Sequence, residues 1–168
     1  KSAAVATGAA WLSPAIALTQ TQAPPEGKPD STSADYTLRI KVSPVEIAPN
    51  RIISATTYNG QFPGPLLRFK EGKQFTVDIF NDTDAPEQLH WHGQKVAVDV
   101  DGASEEGSPF IPAHGKRRIS FVPGPAGFRF YHTHRRAGAD LSAGQYGGQV
   151  GPVYVEPQHD PGNTIAKY

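Results

Sequence analysis

Four of the chain's six histidines form two His-x-His pairs, His90 with His92 and His132 with His134. In an extended strand, residues i and i+2 point to the same face, roughly 6.5–7 Å apart along the chain. Two such strands side by side would bring four imidazoles around one centre. Six histidines placed at random would give about 0.2 such pairs, so the pattern predicts a metal site.

The residue types that are missing narrow the metal chemistry. The chain has no cysteine and no methionine, which excludes disulfides, thiolate zinc sites, iron–sulfur clusters and a blue-copper site built from this chain alone. Histidines without cysteine in an exported protein favour copper or zinc among the metals that imidazole binds. His114 and His159 stand alone in loop-like segments and are expected to be ordinary polar residues.

Short strands and turns are the elements that must position these rings. The chain has 17 glycines and 16 prolines, a composition that favours turns over long helices. Alternating apolar and polar residues, or short apolar runs, predict strands near residues 36–42, 52–58, 66–69, 75–79, 88–92, 118–122, 128–134 and 153–155. Phe128 and Phe130 share a face with His132 and His134, and we expect these two phenylalanines to be core aromatics. Seven or eight such strands indicate an all-β fold, a Greek-key β-sandwich or barrel.

The two ends of the chain differ from this pattern. Residues 1–17 combine a lysine, a short apolar run and an Ala-x-Ala site, which predicts the remnant of an export signal and a periplasmic or extracellular location. The stretch also resembles the tail of a twin-arginine signal, although the arginine pair is absent; a small helix that stays attached is the alternative. Residues 18–34 are predicted to be a polar linker, 35–157 one domain, and 158–168 a linker or tail.

The charge pattern gives no indication of a nucleic-acid partner. The formal net charge is zero, with 16 basic and 16 acidic residues, and neither a basic stripe nor an acidic tail is visible. The apolar run near the start is too short to span a membrane, so no membrane partner is expected. Between residues 99 and 115 the sequence is rich in turn formers and predicts a loop.

The ordered motifs resemble the N-terminal cupredoxin domain of the multicopper oxidases, the laccase group. The resemblance covers roughly residues 35–157. The motifs that carry it are Asn-Gly-Gln-Phe-Pro-Gly-Pro at 59–65, Glu-Gly at 71–72, Asn at 81, His-Trp-His-Gly at 90–93, Asp-Gly at 101–102, Ile-Pro at 111–112, Phe-Tyr-His-Thr-His at 130–134 and Gly-Gly-Gln-Val-Gly-Pro at 147–152. Their combination in this order is far more specific than either histidine pair alone.

The resemblance implies a role for each paired histidine. His90 would bind the type 2 copper of a trinuclear cluster, His92 and His132 would share one type 3 copper, and His134 would bind the other. Asp101 resembles the carboxylate that these enzymes place near the type 2 site, where it relays protons during the reduction of oxygen. A loop aspartate before a turn glycine is the alternative reading of Asp101.

The chain departs from the family in holding only part of the catalytic apparatus. The family takes its other four cluster ligands from His-x-x-His-x-His and His-Cys-His motifs, and neither occurs here. The resemblance therefore implies the N-terminal part of a copper-dependent oxidase that reduces O₂ to water while a phenol-like or metal-ion reductant is oxidised elsewhere. Its partners would be the remaining cupredoxin domain or domains, in the same longer polypeptide or in another chain. A non-catalytic copper-binding module, for storage, delivery or electron transfer, is the alternative, and a purely structural cupredoxin-like protein is disfavoured by the intact histidine pairs.

Overall fold

The computed structural model describes residues 33–136 and 144–159. The predicted signal remnant at 1–17, nearly all of the predicted linker at 18–34 and most of the predicted tail at 158–168 lie outside these residues. Within the described part of the chain, no helix is long and apolar enough to cross a membrane.

Eight strands make up the described ranges, joined by short helices and turns. The strands are β1 (Tyr36–Ala48), β2 (Arg51–Tyr58), β3 (Leu67–Lys70), β4 (Phe75–Asn81), β5 (His90–His92), β6 (Lys116–Phe121), β7 (Gly127–His132) and β8 (Val150–Glu156). The helices are α1 (Val98–Asp101) and two 3₁₀ helices at Ser104–Glu106 and Gly144–Gly147. The prediction of an all-β fold is confirmed.

The strands form two four-stranded sheets. The first has the order β2-β1-β4-β6 and the second the order β3-β8-β7-β5. Each sheet contains one parallel pair, β1 with β4 and β3 with β8, and the other pairs are antiparallel. The two sheets pack face to face, because apolar residues of both contribute to one buried cluster.

Aromatic rings fill the centre of this core. Trp91 of β5 is fully buried, and its ring lies 5.2 Å from that of Phe121, 6.0 Å from that of Phe75 and 6.1 Å from that of Phe69. These separations are in the range of favourable aromatic pairs. Because neighbours in a strand point to opposite faces, the inward position of Trp91 turns both flanking histidine side chains away from the core.

The prediction that Phe128 and Phe130 are core aromatics is wrong. Their side chains are 67% and 37% exposed, whereas Tyr131 between them is fully buried. Tyr131 packs against Trp91 and its hydroxyl donates a hydrogen bond to the Pro65 carbonyl at 2.8 Å. Alternation had correctly grouped the two phenylalanines with the histidines, but this shared face is the outer one.

The predicted loop at 99–115 contains two very short helices. Helix α1 ends at Gly102 and the 3₁₀ helix at Ser104–Glu106 ends at Gly107, both of which have left-handed backbone conformations, with φ of 81° and 99°. Glycine adopts this conformation at little cost, so each helix stops after a single turn. This segment returns the chain to the end of the sandwich where the histidines lie.

Candidate metal centre

The pairing of β5 with β7 brings the two histidine pairs together. His90 lies opposite His132, and His92 lies opposite Phe130. His134 follows two residues after the end of β7, and its ring is 4.4 Å from that of His90 and 5.0 Å from that of His132. One ring nitrogen from each of His90, His132 and His134 lies within 4.8 Å of the others, a spacing that could hold a metal ion.

The fourth predicted histidine, His92, lies beside this group rather than inside it. Its Nδ1 atom is 3.3 Å from Nε2 of His132, and its ring stacks on Phe130 at 4.2 Å. Two nitrogen ligands about 2 Å from one ion, at a tetrahedral angle, lie about 3.3 Å apart. The same separation that joins the two rings by a hydrogen bond is thus compatible with both nitrogens binding one ion.

In three of the four rings, Nδ1 lies within hydrogen-bonding distance of a protein oxygen atom. Nδ1 of His90 is 2.9 Å from the Asp101 carbonyl oxygen and 3.1 Å from its Oδ2, and Nδ1 of His134 is 2.9 Å from Oε1 of Glu105. Nδ1 of His132 is 2.9 Å from the Thr133 carbonyl oxygen and also contacts the side-chain amide of Gln145. At His90 and His134, an oxygen at Nδ1 favours the tautomer with its proton there, which leaves Nε2 with a free lone pair for a metal.

Burial keeps the central ring neutral. Removal from water lowers the pKa of His132 to about 4, more than the Thr133 carbonyl raises it, and the nearby rings of His90, His134 and His92 lower it further. Imidazole binds metals in its neutral form. At neutral pH the ring of His132 is therefore in the state that a metal requires.

The predicted proton-relay residue Asp101 lies in the cluster. It is the last residue of α1, its side chain is 13% exposed, and it contacts His90 through both its carbonyl and its carboxylate. His114, by contrast, is on the surface, where Nε2 lies 2.8 Å from Oδ1 of Asp84. His159 is also exposed and near the end of the described residues.

Sequence reasoning missed Glu105. This residue lies in the 3₁₀ helix, and its carboxylate orients the ring of His134. The pKa of the Glu105 carboxyl is below its usual value, first because of a hydrogen bond with its own backbone and next because of the bond with His134. Nothing in the spacing of Glu105 points to His134, because the contact depends on the turn at Gly102.

An exposed apolar strip adjoins the histidines on the outer face of the second sheet. Phe128 and Phe130 of β7 lie opposite Tyr154 and Pro152 of β8, whose side chains are half-buried. These four residues share the outer face with His92 and His132. A contiguous apolar surface of this kind is typical of a site that another protein surface covers.

The sequence is similar to one family of known proteins. Residues 40–160 match the family described as multicopper oxidase. The chain belongs to the multicopper oxidase family. It is 35% identical over 138 residues to a copper resistance protein A homolog of Pseudomonas syringae pv. tomato, and 29% identical over 164 residues to the multicopper oxidase MmcO of Mycobacterium tuberculosis.

Solved structures of multicopper oxidases share the fold. The blue copper oxidase of Nitrosomonas europaea superposes with a TM-score of 0.66 at 28% identity, over 74% of this chain and 39% of that protein. The predicted cupredoxin type of the sandwich is therefore confirmed. Of the two sequence relatives, the match covers 82% and 97% of this chain but only 22% and 30% of the relatives. The chain thus spans less than a third of either one.

The residues of the cluster fit the copper that the family implies. The donors are imidazole nitrogens, which suit copper, and the Nδ1 atoms of His90, His132 and His134 lie against protein oxygens. The chain contributes no thiolate, so this set of donors does not fit a blue-copper site. It fits copper ions bound by histidine alone.

Proposed function

We propose that this chain is the N-terminal cupredoxin domain of a copper-dependent oxidase. In this proposal it supplies four histidines to a trinuclear copper cluster that reduces O₂ to water, while a phenol-like or metal-ion substrate is oxidised at a site outside the chain. The observation that carries the proposal is that one ring nitrogen from each of His90, His132 and His134 lies within 4.8 Å of the others, on the side of the second sheet that faces away from the apolar core. Rings that served only to stabilise the core would point inward.

Each histidine takes a separate part in the proposed cluster. His90 binds the type 2 ion, His92 and His132 share one type 3 ion, and His134 binds the other. The 3.3 Å separation between Nδ1 of His92 and Nε2 of His132 supports their sharing of one ion. Copper, when bound, would pass electrons from the oxidised substrate to O₂, and the protein would hold the ligand nitrogens in place.

Asp101 is proposed to accept and release protons beside the type 2 copper position. Its Oδ2 atom is 3.1 Å from Nδ1 of His90, and its side chain is 13% exposed. The carboxylate is therefore within reach of the Nδ1 proton, and part of the side chain is open to solvent. A carboxylate within hydrogen-bonding distance of the group that gives or takes the proton can act in proton transfer.

The partner of the proposed cluster is a second cupredoxin domain that brings the remaining histidines. It belongs either to the same longer polypeptide or to another chain. Such a domain could pack on the apolar strip formed by Phe128, Phe130, Pro152 and Tyr154. This strip lies next to the histidines that would bind the shared cluster. The domain is proposed to act after export, in the periplasm or outside the cell, as the signal-like residues 1–17 predict.

The test is His132→Ala in the full-length polypeptide, with His114→Ala as the matched control. We expect the first variant to lose O₂ reduction and part of its copper, and the second to keep three cluster copper ions and full activity. His114 is a suitable control because it is an exposed histidine paired with Asp84, away from the cluster. Full copper content and activity in His132→Ala would refute the assignment. A wild-type protein that binds copper but does not consume O₂ would favour the non-catalytic copper-binding module.

A further inference from the structure

A buried carboxylate connects the two histidine-bearing segments behind the metal centre. Glu87 has no exposed surface and lies three residues before His90, in the segment that joins β4 to β5. Its backbone is fixed by two hydrogen bonds with Ile111, of 3.0 and 2.9 Å. An ionised group in the core is costly unless it is paired and hydrogen-bonded, so the partners of Glu87 indicate what it serves.

All the side-chain partners of Glu87 in the described ranges belong to the chain around His134 or to the segment beside it. Arg135 donates to Oε1 at 2.8 Å. The Thr133 hydroxyl and the Gln149 amide both donate to Oε2 at 3.3 Å. Glu87 thus contacts the residue before His134 and the residue after it.

His134 needs this support because it lies beyond the β-ladder. The pairing of β7 with both neighbours ends at His132. The next backbone bond, from the Thr133 N–H to the Gln149 carbonyl, is long at 3.3 Å. The Arg135 N–H donates a hydrogen bond to the Thr133 hydroxyl at 3.0 Å. This hydroxyl in turn donates to Glu87, so the conformation of the segment depends on the position of Glu87.

We infer that Glu87 is a positioning residue that sets the place of His134 relative to His90. The inference rests on the proposed function, in which both histidines bind copper. Glu87 is fully buried, whereas the side chain of Arg135 is 32% exposed. Apolar residues of similar volume are often at least as stabilising as a buried charged pair, because taking charges out of water is costly. The charge of Glu87 instead fixes one orientation for Thr133 and Arg135, and through them the direction in which the ring of His134 points.

The experiment compares Glu87→Gln with Thr83→Val in the full-length polypeptide. The first variant keeps the shape of the side chain but places an amide NH₂ either opposite the Arg135 donor or opposite the donors of Thr133 and Gln149. The control removes a buried hydroxyl from the same β4–β5 segment, where it contacts Asn81 and Ala85 and no histidine. We expect copper affinity to fall 10- to 100-fold in Glu87→Gln, as for other groups that orient metal ligands, and to stay within twofold in Thr83→Val.

A second measurement needs no copper. In the metal-free wild-type protein, ¹⁵N NMR should show a single tautomer of the His134 ring, and in Glu87→Gln the two nitrogen signals should move towards an average. If Glu87→Gln does not fold, Thr133→Val and Arg135→Gln can replace it, because each removes one hydrogen bond to Glu87. Both should show the loss of copper affinity and the change in the His134 signals, but less strongly. Unchanged His134 signals and copper affinity in the variants that fold would overturn the inference and leave the proposed function intact. A wild-type protein without three cluster copper ions would refute the proposed function, and the NMR comparison would still decide the role of Glu87.

Discussion

Gly102 offers the sharpest test of how the short helices hold the metal centre. A Cβ atom at this position would overlap the carbonyl oxygen of Leu89 and lie 2.9 Å from the backbone nitrogen of His90. Both contacts are with backbone atoms, which cannot move aside as a flexible side chain can. Gly102→Ala must therefore push the end of α1 away from β5, and with it the two Asp101 oxygens that contact His90.

Gly107 provides a matched control. It also ends a one-turn helix with positive φ, but a Cβ there would meet only Cγ1 of Val98 at 3.8 Å, an ordinary contact. A left-handed conformation costs alanine about 1–2 kcal/mol, so Gly107→Ala should reduce the free energy of unfolding by about that amount. Gly102→Ala carries the same cost and, in addition, about 1–3 kcal/mol for overpacking.

Urea unfolding and copper titration of the two variants would measure these effects. We expect a loss of about 2–5 kcal/mol in Gly102→Ala, together with weaker copper binding, whereas Gly107→Ala should bind copper like the wild type. Equal losses of stability in the two variants, with copper binding unchanged in both, would refute the close approach of Gly102 to β5. The control separates backbone strain, which both variants share, from displacement of Asp101, which only one suffers.

Three further predictions concern the core, the surface charges and the metal. Trp91→Ala should lower the free energy of unfolding by about 3–5 kcal/mol, measured in urea, because it empties the centre of the aromatic core; a loss below about 1 kcal/mol would contradict that placement. The hydrogen bonds from Arg118 hold the pKa of Asp78 below its usual 3.8. Ionisation of Asp78 therefore stabilises the folded state above that pH, and the contribution is lost as pH falls through the lower folded pKa. Asp78→Asn should cost about 0.5–1 kcal/mol at pH 7 and progressively less in acid, and a pH-independent difference would speak against the pair. Free copper at 100 times its Kd should add about 2.7 kcal/mol to stability, an increment that a chelator removes and His132→Ala reduces; a melting temperature independent of copper would show that the metal does not bind the folded state.

Strand alternation predicted much of the fold because it depends on local chemistry. The period of two in residues 75–79 and 118–122 gave the inward residues of β4 and β6 correctly, and the motifs around the histidine pairs led to the correct family. Alternation could not say which face of β7 is covered. That depends on what packs against the sheet, and a strand with Phe128 and Phe130 on one side and Tyr131 on the other carries aromatics on both.

The contacts around the histidines were less accessible from the sequence. Asp101 was singled out by resemblance, and the structure places it beside His90. Glu105 and Glu87 were not predicted as residues of the site. Their contacts with residues 133–135 form only after β5 has paired with β7 and the two short helices have folded. Neither glutamate stands at a spacing from a histidine that would indicate a shared site.

The parallel pair β3–β8 has a consequence for the order in which the domain assembles. Leu67 of β3 pairs with Val153 of β8, so the second sheet is incomplete until β8, the last strand of the described residues, has been synthesised. Contacts between residues so far apart in sequence close slowly. His132 lies opposite both His90 of β5 and Val150 of β8, so we expect the spacing of the imidazoles to become fixed only when β8 joins the sheet. We therefore expect copper to enter a domain that has already folded, rather than to nucleate its folding.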